Sequence, residues 1–156
     1  MANLTVTITE SVTLNGSVRG STNQLTITGI ESVFERIVTI PNDQDTTILL
    51  TKASVASSDS AVDIQDTKYI RITNLDSTNS VTLSLQLDVN ENDSGADQSV
   101  SILLEAGKTF MLGTPHDAIG VDDDSSAIQT SLADFESILV DTAANTVKLE
   151  LFVAGA

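Results

Sequence analysis

The chain has 156 residues, of which 40% are hydrophobic and only 3% aromatic; there is no cysteine, and 22 acidic residues against 7 basic ones give a formal charge of −15. The length suits one domain able to bury about 70% of its unfolded surface, and the lack of cysteine excludes disulfides and thiolate metal sites and favours folding in a reducing compartment. A surface this acidic repels phosphate, which argues against nucleic acid and anionic membranes as partners and suits a salty medium, where about 1 M salt shortens the screening length to about 3 Å.

The apolar fraction is mostly Val, Ile and Leu, set among many Ser and Thr. β-Branched residues lose rotamer freedom in helices and fit a pleated surface, so an all-β chain is expected. Along the first segment, Leu4, Val6, Ile8, Val12 and Leu14 fall on even positions with threonines between them. That is a period-two strand, ended by the turn pair Asn15-Gly16. QLTITGI (24–30) is a second alternating strand. VFERIVTI (33–40) is apolar on both faces, as a strand covered on both sides would be, and Pro41-Asn42-Asp43 stops it. TTILLTK (46–52) follows, then the small-residue loop ASVASSDSA (53–61).

YIRITNLDSTNSVTLSLQL (69–87) reads as a β-hairpin with one apolar and one polar face. After the polar run DVNENDSGADQ (88–98), SVSILLE and KTFMLG, joined at Ala106-Gly107, read as a second hairpin. TPHDAIGVDDDSS (114–126) is loop, with room for a short strand at Ala118 to Val121. In SLADFESILVD (131–141), Ser131 could cap a single helical turn with Asp134 three residues on, and the rest reads as a strand. TVKLELFV (146–153) alternates as the last strand. About ten short strands separated by turns and little helix describe a single antiparallel β-sandwich or jelly-roll-like domain over 1–156. Periodicity alone does not separate those two.

The residues carry little chemistry. The only histidine is His116, beside Pro115 in a loop; there is no GxSxG elbow and no phosphate-cradling glycine loop. One histidine is too few for the usual zinc sets, and acidic residues this numerous always supply carboxylate pairs, so no enzyme and no cofactor are expected. Calcium is the best chemical candidate. Asp88, Asn90 and Asn92 alternate as at the start of an EF-hand loop, but Asp93 stands where the turn glycine belongs and Ser99 where the bidentate Glu belongs. Asp122, Asp123 and Asp124, with Asp117 nearby, form a second cluster. Solvated acidic loop tips are the simpler reading of both. MANLTVTITES has no basic segment followed by an apolar run, and no apolar run approaches the roughly 18 residues that span a bilayer, so a soluble product made in the cytoplasm is expected.

Four stretches carry a resemblance: MANLTVTITESVTLNG, TKYIRITNLDSTNSVTLSL, LEAGKTFMLGTP and the closing VKLELFVAGA. Together they resemble virion structural proteins of tailed bacteriophages, most of all the small β-rich proteins that decorate the capsid. The resemblance implies a non-enzymatic cement protein on the outer capsid surface of the virion. It would bind the major capsid protein, clamp neighbouring subunits, and assemble as a homo-oligomer, with a trimer favoured. Exposed edges suit that work, because unpaired backbone groups offer a template for strand addition. The first strand, Leu4 to Leu14, and the last, Thr146 to Val153, are the candidate assembly contacts. Two other roles fit the same residues: a neck, tail or fibre-associated virion component, and a calcium-dependent carbohydrate- or surface-binding module. The shortage of aromatics counts against the second of these.

Overall fold

The computed structural model describes residues 1–52, 61–87, 98–121 and 128–156, apart from the side chain of Phe135. Among these residues every regular element is a strand. The first four strands form a separate two-stranded ribbon. β1 (Ala2–Thr9) and β2 (Val12–Leu14) run out, and β3 (Ser17–Arg19) and β4 (Thr22–Ile30) run back. After a shift between Ala2 and Asn3 at its base one register holds, with Leu4 opposite Ile27, Thr9 opposite Thr22 and Leu14 opposite Ser17. The turn is the expected Asn15-Gly16 pair. Both residues have positive φ, 50° and 78°, which is the type I′ geometry that matches strand twist. Gly20 (φ 133°) lies so close to Glu10 that an added Cβ would fall 2.0 Å from its carbonyl oxygen, so only glycine fits there.

The body holds β5 (Ser32–Ile40), β6 (Thr46–Lys52), β7 (Val62–Asp63), β8 (Thr67–Asn74), β9 (Val81–Leu87), β10 (Gln98–Leu104), β11 (Thr109–Leu112), β12 (Phe135–Asp141) and β13 (Val147–Gly155). They form a four-stranded sheet, β11-β8-β13-β5, and a five-stranded sheet, β10-β9-β12-β6-β7. Every pairing is antiparallel except the short β6–β7 contact. Leaving β7 aside, the pairs nest: β9 with β10, β8 with β11, β6 with β12, and β5 with β13. The body is thus one long antiparallel hairpin folded over itself, with β13 also joined to β8 and β12 to β9. That order is a jelly roll, the arrangement periodicity left open.

The core between the sheets is aliphatic, as the composition requires. Ile40, Ile48, Ile70, Ile72, Leu83, Leu85, Leu87, Ile138, Leu149 and Leu151 are fully buried. Each such side chain contributes roughly 1.5–3 kcal/mol relative to exposure.

Several expectations change here. Neither expected hairpin is one: β8 and β9 lie in opposite sheets, and so do β10 and β11. Each pair is an arch over the core, with apolar sides facing across it rather than lying side by side. The first arch is built by two polar side chains. Asn74, fully buried, donates from Nδ2 to the carbonyls of Asn79 (2.9 Å) and Leu104 (3.2 Å), and its Oδ1 accepts from the Asp76 amide (2.9 Å). Asp76 then accepts from the amides of Asn79 (2.7 Å) and Thr78 (2.8 Å), and these bonds hold its carboxyl below the usual range. The Asn74 amide also donates to the Lys108 carbonyl (2.9 Å). The ITN and LEAGK phrases, far apart in sequence, are therefore bonded to each other. Among the described residues thirteen strands replace about ten, because the strand expected from Leu4 to Leu14 divides into β1 and β2, and β3 and β7 are too short to read by alternation. Ser131 starts no helical turn, and the short strand expected at Ala118 to Val121 is a single bridge from Ile119 to Ala133, whose amide donates to the Ile119 carbonyl (2.8 Å).

Candidate assembly surface

The last strand cannot dock by strand addition. β13 lies between β8 and β5, so both of its edges are already paired. The unpaired long edge of that sheet belongs to β5, the strand expected to be covered on both sides. Its outward face is bare: Val33 is 56% and Ile37 63% exposed. Its inward face is partly used, with Val38 packed on the core and Ile40 buried in it. At the open side of the sandwich Arg36 donates to the Ile48 carbonyl of β6 and lies over the Phe34 ring, 5.1 Å from its centroid. The edge is long, largely apolar and, among the described residues, without a covering strand, which is the form that pairs with another chain.

The ribbon meets the same sheet on its outer face. Leu4, Val6 and Ile27 pack around buried Ile30, Tyr69 and Ala154, with Phe152 beside them. Tyr69 and Phe152 meet edge to face at 66°, centroids 6.2 Å apart. Arg71 crosses the Phe152 ring and pairs with Glu150 at 2.5 Å. Burial raises the Tyr69 hydroxyl above its ordinary range, partly opposed by the Arg71 charge. Between ribbon and sheet opens an apolar cleft of about 290 Å³, lined by Val6, Ile8, Leu25, Tyr69, Met111 and Gly113 among others. The first strand thus keeps its place as a candidate contact. β5 replaces β13 as the second. The missed signal was in the sequence: a strand apolar on both faces requires cover, and the described residues supply it on one side only.

Among the described residues, one group of three side chains could hold a metal ion: His116, Asp117 and Asp134. The Ile119–Ala133 bridge draws their two loops together. Asp134 Oδ1 lies 2.8 Å from His116 Nδ1 and accepts from the Asp117 amide at 2.7 Å, while Asp117 Oδ2 is 3.3 Å from Nε2. The Asp134 hydrogen bond raises the His116 pKa above 6.5. One ligand atom from each of the three lies within 4.8 Å of the others, near enough for them to hold a cation, and the contacts between them clasp the two loops together. The calcium candidates Asp88, Asn90 and Asn92, and Asp122, Asp123 and Asp124, lie outside the described residues.

No family model matches the chain, and no curated protein matches its sequence. Among solved structures, a chain from Bacillus endospore appendages, described as a novel family of disulfide-linked pili, is similar at a TM-score of 0.38 and 12% identity, covering 83% of this chain and 93% of that one. Likeness at that level decides neither fold nor role. Among the described residues no helix is long and apolar enough to cross a membrane.

Proposed function

We propose that this chain is a non-enzymatic virion structural protein of the capsid-decoration type, which binds the outer shell and stabilises it by clamping capsid subunits. The observation that supports it best is the β5 edge, nine residues with exposed aliphatics on the outward face and no covering strand among the described residues. Strand addition there supplies main-chain hydrogen bonds, and pockets for Val33 and Ile37 supply specificity. The charge of −15 favours a basic patch on the partner and keeps free copies apart. The ITN and LEAGK phrases that carry the resemblance are bonded to each other and close one end of the sandwich.

The test is the copy number in purified virions of the virus that encodes the chain, by quantitative mass spectrometry against the major capsid protein. A number comparable with that of the capsid protein supports cementing. A handful per particle would move the chain to the neck or tail, and absence would sink the reading.

A further inference from the structure

The aliphatic stripe of the ribbon outruns its cover. Residues opposite one another share a face, so Leu4 with Ile27, Val6 with Leu25, Ile8 with Asn23, Val12 with Arg19 and Leu14 with Ser17 line one side. The Glu10 amide donates to the Ser21 carbonyl (2.9 Å), which extends the β1–β4 pairing by one residue and places Glu10, two on from Ile8, on that side too. At its base the stripe rests on Tyr69, Phe152 and Ala154. Beyond that it is bare: every residue from Thr7 to Thr26 is exposed, with Val12 at 57% and Leu14 at 56%. A two-stranded ribbon alone in water is marginally stable, so the far half has order to gain from a partner.

Charge selects the partner. Residues 1–30 hold one acid, Glu10, and one base, Arg19, so the remainder of the chain, with 21 acidic and 6 basic residues, carries the whole −15. Copies approaching through their bodies repel, and copies approaching through their ribbons do not. Glu10 and Arg19 also flank Val12 with opposite signs, and neither is ion-paired among the described residues. We propose that the far half of the ribbon is a homotypic interface. Ribbons of two copies of this chain pack stripe to stripe over Val12 and Leu14, and Glu10 of each comes within reach of Arg19 of the other. This uses a different surface from the β5 edge and needs no capsid.

Sedimentation equilibrium of the free, full chain tests it, up to about a hundredfold above a dissociation constant of about 1 µM. The wild type associates in that range. Val12→Asp and Leu14→Asp each weaken association at least about tenfold, with thermal unfolding of the body unchanged. Glu10→Arg alone weakens it, and adding Arg19→Glu restores it. A wild type that stays monomeric overturns the inference and assigns the stripe to a different protein. An assembly of any order that survives both Asp variants, or a charge swap that fails to rescue, overturns it as well.

Discussion

Asn74 is the residue on which the closed end of the sandwich depends. It is fully buried, and its side chain satisfies two carbonyls and one amide. Truncation leaves those groups unpaired in a low-dielectric interior, so Asn74→Ala should cost about 2–4 kcal/mol in urea unfolding. A loss within about 0.5 kcal/mol would mean that water replaces the amide. His116 acts through pH. Its folded pKa lies above 6.5, so its contribution is fully present below that value and lost as pH rises through the folded pKa. The melting-temperature advantage of wild type over His116→Gln should therefore shrink as pH climbs from about 6 to about 9. A constant gap would show that the clasp does not titrate. Asp76 works the other way, its contribution lost as pH falls below the ordinary 3.8. Sequence showed neither role. The partners that matter are distant: one carbonyl bound by Asn74 lies 30 positions away and the carboxylate bound by His116 lies 18 away.

At the scale of elements, alternation told which side chains go inside but not which strands lie together. Val81, Leu83, Leu85 and Leu87 were read as one apolar face, and all four are buried. The same period is satisfied whether the next strand pairs alongside or arches over the core, so hairpin and arch read alike. The Asn15-Gly16 turn was legible because a two-residue loop with two positive φ angles leaves few alternatives. β5 is the instructive failure. Its pattern reported what the strand needs, and the described residues of the chain supply only part of it. If a capsid supplies the rest, Ile37→Lys should leave unfolding within about 0.5 kcal/mol of wild type, because the side chain is already exposed. It should lower retention on capsids about tenfold or more, since burying Ile contributes about 1.5–3 kcal/mol and about 1.4 kcal/mol is a factor of ten. Unchanged retention in a binding assay would remove β5 from the docking surface.

For the molecule as a whole, the all-β class followed from composition and period, while the jelly-roll order required pairings that no local pattern encodes. The net charge acts at this scale too. With −15 concentrated on the body, self-repulsion opposes compaction, and salt relieves it. Raising NaCl from about 0.1 M to about 1 M shortens the screening length from about 10 Å to about 3 Å, and the melting temperature should rise with it. A flat profile would show that the acidic residues are spaced widely enough for repulsion to be negligible.

The nesting of strand pairs also sets an order in time. The ribbon closes locally around a two-residue turn, and a hairpin of that kind forms in roughly 1–10 µs. β5 has no such neighbour: its partner is β13, and Ser32 waits for Gly155. On the ribosome, at about 5–20 residues per second, β5 therefore stays unpaired for several seconds or more after it is made. During that interval an apolar strand with two open edges is exposed to every other nascent copy. The acidic residues translated after it then act as a kinetic guard, keeping unfinished chains apart until the outermost pair can close.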